Sequence, residues 1–241
     1  MASQTGMIDP AIFEQLQDII DQDTEIRDEL REILKTLEKQ GRSTQAILSK
    51  AHSTSSDSLC NVVEGAEGAL RYQIDTVSEL AEAASRHPYY KYNHVWSHQI
   101  QDLTYMILLS GFLGGFTSTN SSEARQTGRL LTIEEVGNIL GVPVNIKNKD
   151  TFHLSLEEYL LALITLIEEL ARLARNSVTL GDYTRPLQIS KFIKDVHAGF
   201  QILNLKNDAL RRRSDGIKYR VKEVEDVVYD LSLRNLIPKD T

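Results

Sequence analysis

The sequence predicts an all-α protein, an antiparallel bundle of about seven helices. Three observations predict it. Glycine and proline are scarce, 13 and 5 residues in 241, which disfavours a turn-rich β fold. Apolar residues recur every three or four positions along most of the chain, the period of a helix with one buried face. Two apolar stretches open on Ser/Thr-x-x-Glu, the capping box in which a hydroxyl and a carboxylate satisfy each other's backbone N–H groups.

The elements follow in order. Residues 1–7 read as a loose tail. Asp9 is an N-cap and Pro10 a first helical residue, since proline's missing N–H has no partner there anyway. Ile12, Leu16, Ile19, Ile20, Ile26, Leu30, Ile33, Leu34 and Leu37 then carry a long amphipathic helix to about His52. The turn-forming run Ser53 to Ser58 precedes a second helix, about Asp57 to Ser85, with Val62, Val63, Ala66, Leu70, Ile74, Val77 and Leu80 inward. Pro88 breaks the chain, and a third helix from Tyr89 to about Phe116 grows steadily more apolar, so it should be buried. Thr117 to Thr127 reads as a polar loop.

Thr132 and Glu135 box a short helix to about Leu140, stopped at Gly141-Val-Pro143. Ser155 and Glu158 box a strongly apolar one through Leu173. Gly181 and Pro186 bracket a tight connection, and two more helices, about Leu187–Leu203 and Asn207–Leu236, finish the chain before a tail at 238–241. No linker is long enough to divide it, so residues 1–241 read as one domain. Helices of 30 to 45 residues would be roughly 45 to 65 Å long. Rods of that length leave apolar stripes that a small monomer cannot cover, which predicts a homo-oligomer.

Composition excludes several function classes. Apolar residues make up 41% and charged residues 25%, the balance of a folded soluble protein. The most apolar run, Met106 to Phe116, is too short to span a bilayer and holds three glycines, so no membrane role is expected. The opening MASQTGMIDP lacks a basic stretch before an apolar core, which predicts no secretory signal. A single cysteine, Cys60, excludes an internal disulfide framework and fits a reducing compartment. The histidines show no zinc spacing, Val178 to Asp182 lacks the lysine of a phosphate loop, and no nucleophile elbow is present. A net charge of −7 opposes polyanion binding unless basic residues gather on one surface.

Three C-terminal blocks resemble the translin family. They are Asn176 to Ile193 (NSVTLGDYTRPLQISKFI), Gly199 to Tyr219 around LNLKNDALR and DGIKY, and Val224 to Arg234 (VEDVVYDLSLR). A looser match around Tyr89-Tyr90-Lys91-Tyr92 and Trp96 extends the resemblance over nearly the whole chain. It implies a seven-helix protein that assembles into a closed, hollow octamer and binds single-stranded RNA and DNA. It also implies a partner, a translin-associated factor X-like paralogue, and with it a Mg²⁺-dependent endoribonuclease complex that processes RNA fragments. The expected compartments are the cytoplasm and the nucleus.

The residues chosen as nucleic-acid contacts are Lys91, Tyr92, Asn93, His94 and His98 at the start of the third helix, with Arg211 and Arg212 further on. Aromatic faces stack on bases, and lysine and histidine donate to phosphate oxygens. The resemblance assigns this segment the family's nucleic-acid role, although members often carry arginine at the position of Lys91 and histidine at those of Asn93 and Val95. The rings of Tyr90, Trp96 and Tyr105 read equally as core. Arg211, Arg212, Arg213, Lys218, Arg220 and Lys222 form the one strong basic cluster, to be read as phosphate-binding or as a helix surface paired with Glu223, Glu225 and Asp226. Around Cys60, where family members are basic, the run Asp57 to Glu67 is acidic and apolar.

Cleavage with Mg²⁺ needs several convergent carboxylates. The positions that carry them in the catalytic paralogue align with Asp102, Tyr105 and Thr165. Only one is acidic, which predicts a non-catalytic subunit with no metal or cofactor of its own, Mg²⁺ belonging to the partner. Asp102 and Glu169 are the weak catalytic candidates that remain, with Glu158 three helical turns away on the face of Glu169; Glu158 reads equally as a cap and Glu169 as a buried polar contact. Two alternatives stand beside this reading: a scaffold with little RNA affinity, and a weak metal-dependent ribonuclease.

Overall fold

The structure is a computed structural model and describes residues 10–116, 127–146, 150–206 and 208–237. The tails, Asp9 as a cap, the loop before Thr127 and Asn207 as a helix start lie outside those residues. Among the described residues the regular structure is helical. An isolated parallel bridge joins Val144 and Leu154, and no helix is long and apolar enough to cross a membrane.

The long first helix forms as its apolar period dictates. α1 spans Pro10–Leu48 and runs on into a 3₁₀ turn, Ser49–Ser53, which buries Ala51. A second 3₁₀ turn, Ser56–Ser58, leads into α2, Leu59–Ala84. The serine-rich run supplies the turn, but Ser58 makes no side-chain capping bond. α1 and α2 pack as an antiparallel hairpin. Its interior includes two polar ties, Gln73 Nε2 donating to Thr44 Oγ1 at 2.6 Å and Thr76 Oγ1 donating to Gln40 Oε1 at 3.0 Å.

α3 spans Tyr89–Phe112. It ends one turn before the predicted Phe116, because Gly114 takes a positive φ of 99° and the Gly115 N–H turns back to the Ser110 carbonyl at 2.8 Å. Glycine alone adopts that backbone without strain. α4, Ile133–Leu140, and α5, Leu156–Thr179, both open on complete capping boxes. Gly141 ends α4 in the left-handed region, as a C-terminal glycine does.

Two expectations are corrected in the last third. α6 spans Thr184–Ile202, so Pro186 lies inside its first turn and not in the connection. Asp182 Oδ1 accepts from the Thr184 and Arg185 N–H groups at 3.2 and 3.1 Å. It caps the helix ahead of the proline, whose missing N–H costs nothing in a first turn. The single final helix is instead two: α7, Ala209–Ser214, and α8, Ile217–Leu233. The break falls at Asp215-Gly216, where a poor helix former meets the weakest non-proline one, and Arg211 Nε pairs with Asp215 at 3.2 Å across it.

α5 lies at the centre. It packs against α3, α6, α7 and α8, while α1 and α2 cover α3. Leu166, Ile167, Leu170 and Ala171 are fully buried in one contiguous core that also takes in Leu70, Ile107 and Ile193. Burial of each such aliphatic side chain contributes about 1.5–3 kcal/mol. Leu170→Ala should therefore cost about 2–5 kcal/mol through lost transfer energy and the cavity left behind. Thr132→Ala should cost about 1 kcal/mol through the lost cap. Urea unfolding followed by circular dichroism measures both.

Candidate nucleic-acid interface

The start of α3 is fixed from two sides. On one, the Tyr89 N–H donates to Asp150 Oδ1 at 2.6 Å, and the Tyr89 ring stacks on His153 with centroids 4.2 Å apart. Burial, reinforced by the negative charge of Glu158, pushes the Tyr89 phenol up to about 12. Trp96, 1% exposed, packs behind it on Phe152. On the other side stands Asp23 of α1, which receives Lys91 Nζ at 2.5 Å, the Tyr92 hydroxyl at 2.6 Å and Arg27 at 2.8 Å. The hydrogen bonds from Lys91 and Tyr92 hold the Asp23 carboxyl below its usual range despite some desolvation.

This geometry sorts the chosen residues. Tyr92 is corrected: its ring is buried with its hydroxyl on Asp23, so it cannot stack on a base without leaving the core. Trp96 and Tyr105 are core rings as well. Tyr90, by contrast, is 76% exposed, so its ring face is open to solvent where that of Tyr92 is not. Its recurrence four and eight residues later in His94 and His98 was the available signal. Tyr90, His94 and His98 form one exposed row with Lys91 at its head, and Asn93 lies half-buried beside it.

The row leads into a cleft of about 730 Å³ between α1, α3 and α5, lined by residues that include His98, Asp102, Tyr105, Thr165, Glu168 and Glu169. Lys91 and Asp102 are roughly 16 Å apart along α3 at 1.5 Å per residue. The three positions aligned with the paralogue's carboxylates thus meet in one cleft, as do both weak catalytic candidates. Arg213 of α7, prominent in the sequence only as one of three arginines, reaches in: its Nη2 donates to Thr165 Oγ1 at 3.0 Å and lies 3.9 Å from Glu168. Glu168 itself was not anticipated.

The cleft's charges are already engaged. Burial raises Asp102, and His98 and Arg213 only partly offset it. Burial and the charge of Glu169 raise the Tyr105 phenol, which stays neutral. Glu169 accepts from His52 Nε2 at 2.7 Å and from Arg172 at 3.0 Å, while Asn176 Nδ2 donates to the other His52 nitrogen at 2.9 Å. Burial opposes ionisation of Glu169, but His52 and Arg172 together outweigh it and lower its pKa. Glu158 is buried and spent on its own cap, with Ser155 donating to Oε2. No group of three or more His, Cys, Asp or Glu able to hold a metal occurs among the described residues. Thr165 and Tyr105 stand where a Mg²⁺ ion would need carboxylates, and a guanidinium already lies against Thr165 and Glu168. These residues do not fit Mg²⁺.

Arg211 and Arg212 sit on α7. Arg211 is paired with Asp215, and Arg212 is exposed with no ion pair among the described residues. Of the rest of the basic cluster, Arg220 pairs with Glu223 at 2.6 Å and Arg213 lies 3.9 Å from Glu168.

The molecule is thus an all-helical bundle protein with a polar cleft under its third and fifth helices. Its fold is that of AfC3PO, whose crystal structure it matches with a TM-score of 0.61 at 15% identity, over 92% of this chain and 99% of that one. AfC3PO in complex with duplex RNA gives a TM-score of 0.60 at 14% identity, over 93% and 98%. Sequence carries the assignment further. The Translin family model matches residues 25–235, and the chain belongs to that family. It is 37% identical to translin of Gallus gallus over 94% of this chain and 93% of that one, and 36% identical to translin of Homo sapiens over 92% of each. A shorter match, 33% identical over 84 residues, relates it to translin-associated protein X of Rattus norvegicus, covering 34% of this chain and 29% of that one.

The His52–Glu169 pair gives a pH test. A carboxyl with a lowered folded pKa contributes stability above its unfolded value and loses it as pH falls through the folded one. The ordinary value here is 4.5. Glu169→Gln should lower the urea midpoint at pH 7 and flatten its decline below pH 4.5, read from unfolding midpoints across a pH series.

Proposed function

We propose that this chain is a single-stranded RNA- and DNA-binding subunit that builds a closed, hollow octamer. A translin-associated factor X-like paralogue joins it and contributes the carboxylates of a Mg²⁺-dependent endoribonuclease. The observation that carries the reading is the exposed row at the head of α3. Lys91 and the two histidines offer donors to successive phosphates, and Tyr90 offers a face for a base. Family membership supports it, as do the likeness to translin-associated protein X and a fold shared with a protein solved with duplex RNA. The loss of two aligned carboxylates, and an arginine in the cleft, support a subunit that holds the strand while its partner cuts it.

The same geometry favours modest affinity for the isolated chain. Asp23 competes with any phosphate for Lys91, and the net charge is −7. This keeps the scaffold reading as the alternative.

Fluorescence anisotropy of a short single-stranded RNA across a salt series decides. Lys91→Ala should weaken binding about tenfold, one charge-assisted hydrogen bond of roughly 1.5 kcal/mol. It should also reduce the salt slope by about one. Asp23→Asn, which removes the competing charge but keeps an acceptor for Tyr92, should tighten binding in a Lys91-dependent way. No binding at low salt by a confirmed oligomer would move the RNA site to the partner and leave this chain a scaffold.

A further inference from the structure

The basic run of α7 ends on a hydroxyl. Arg211, Arg212 and Arg213 are followed at once by Ser214. Of all the serines and threonines in the sequence, Ser214 alone has lysine or arginine at both the second and the third position before it. That is the charge pattern by which one class of serine kinase selects its substrate. Guanidinium groups two and three residues ahead of the acceptor pair with carboxylates in the enzyme's groove.

The fold adds a seat and a means of access. Ser214 lines a groove of about 300 Å³ between α6, α7 and α8. Three basic side chains line the same groove: His197 of α6, Arg211 of α7 and Lys218 of α8. Asp215 is the single acid among the lining residues, and Arg211 Nε pairs with it at 3.2 Å. Lys218 and His197 have no carboxylate partner among the described residues, and the Lys218 ammonium lies over the Tyr219 ring, 5.1 Å from its centroid. An oxyanion on Ser214 would meet one cation three residues before it, one four residues after it and a third from α6. Access follows from the shortness of α7. It has six residues, of which Leu210 alone is buried, and a helix that short has little stability of its own. Leu210 and the reach of Arg213 to Thr165 hold it down, and the break at Asp215-Gly216 separates it from α8. The Ser214 hydroxyl is tied only within this turn, donating to the Arg211 carbonyl at 2.9 Å. Such a segment opens as a local unit while the rest of the bundle stays packed.

We propose that Ser214 is the phosphate acceptor for a serine kinase that selects basic sequences, and that the groove seats the phosphate on Arg211, His197 and Lys218. In the transfer, Ser214 Oγ attacks the γ-phosphorus of a nucleoside triphosphate held by the kinase. The new O–P bond forms as the bond from that phosphorus to the bridging oxygen breaks. A nucleoside diphosphate leaves, and the hydroxyl proton passes to the kinase's base. The product carries about −1.5 to −2 charges and three acceptor oxygens, enough to draw Arg211 from Asp215 and to engage the two unpaired bases. The proposal goes beyond the nucleic-acid reading and does not depend on it.

The test uses the full chain, incubated with ATP, Mg²⁺ and the catalytic subunit of cyclic-AMP-dependent protein kinase. Intact-mass and peptide mass spectrometry count the phosphate and place it, and a synthetic peptide of residues 208–220 shows that the enzyme is active. One phosphate per chain is expected on Ser214, and none on Ser214→Ala. Arg211→Ala/Arg212→Ala should slow incorporation about tenfold or more, through the loss of charge-assisted hydrogen bonds to the kinase. Circular dichroism melting confirms that each variant is folded. Phosphorus NMR across a pH series then reads the seat. The phosphoserine should titrate below its ordinary second pKa of about 6, and Lys218→Ala/His197→Ala should bring it back toward that value. Phosphorylation of the peptide but not of the folded chain, or of the chain at another residue in place of Ser214, overturns the site. A phosphate on Ser214 that titrates as free phosphoserine and ignores both groove substitutions overturns the seat.

Discussion

The burial of α5 constrains everything else. Most of its circumference is apolar, and fourteen of its residues are buried. A helix of that kind is stable only when surrounded. α3 closes one side, α6 and α8 another, and the α1–α2 hairpin shields α3 in turn. One narrow strip of α5 escapes: Thr165, Glu168, Glu169, Arg172, Arg175 and Asn176 recur along a single edge. That edge cannot enter the core without partners, because an unpaired buried charge is far costlier than a buried leucine is favourable.

The strip therefore finds partners. His52, in the 3₁₀ turn after α1, meets Glu169; Glu223 of α8 meets Arg175; Arg213 of α7 meets Thr165 and Glu168. The polar cleft under α3 is where this strip remains open to solvent, and its lining follows from which face of α5 the core rejects. In a related chain with more acids at the same positions the cleft would concentrate negative charge. Here Tyr105 and Thr165 stand in the cleft beside Asp102, Glu168 and Glu169, and Arg213 of α7 reaches in to Thr165 and Glu168. The head of α3 inherits its position from the same packing, since Trp96 and Tyr92 are buried against Phe152 and Asp23 on its inner side and so turn Tyr90, His94 and His98 outward.

Local chemistry was readable wherever a few adjacent residues suffice. Both capping boxes form as their sequences require, and Gly141 stops α4. The apolar period marked α1, α2 and α5 to within a turn or so. Reading failed where a nearby signal pointed two ways or the deciding contact is tertiary. Pro186 read as the edge of a connection before a helix at Leu187, whereas Asp182 caps the helix ahead of it. The bend at Asp215-Gly216 was hidden in a run whose buried residues, Leu210, Ile217, Val224 and Leu231, keep an unbroken seven-residue spacing. Among the aromatics, the pattern could not tell Tyr92 from Tyr90, because residues two apart on a helix point to nearly opposite sides, about 200° apart, and only the packing says which side is inward.

By itself the sequence determined the class of fold, the helix boundaries set by caps and glycines, and, through its C-terminal blocks, the family. These depend on backbone propensity and on periods of three to four residues, which are local properties of the chain. The tertiary structure alone decided which ring at the head of α3 is exposed, that Lys91 is held by an aspartate 68 positions earlier, and that Arg213 enters the cleft. Those facts arise from side chains brought together by burial of an apolar helix between them, and no local pattern encodes a contact whose two halves are separated by most of a bundle.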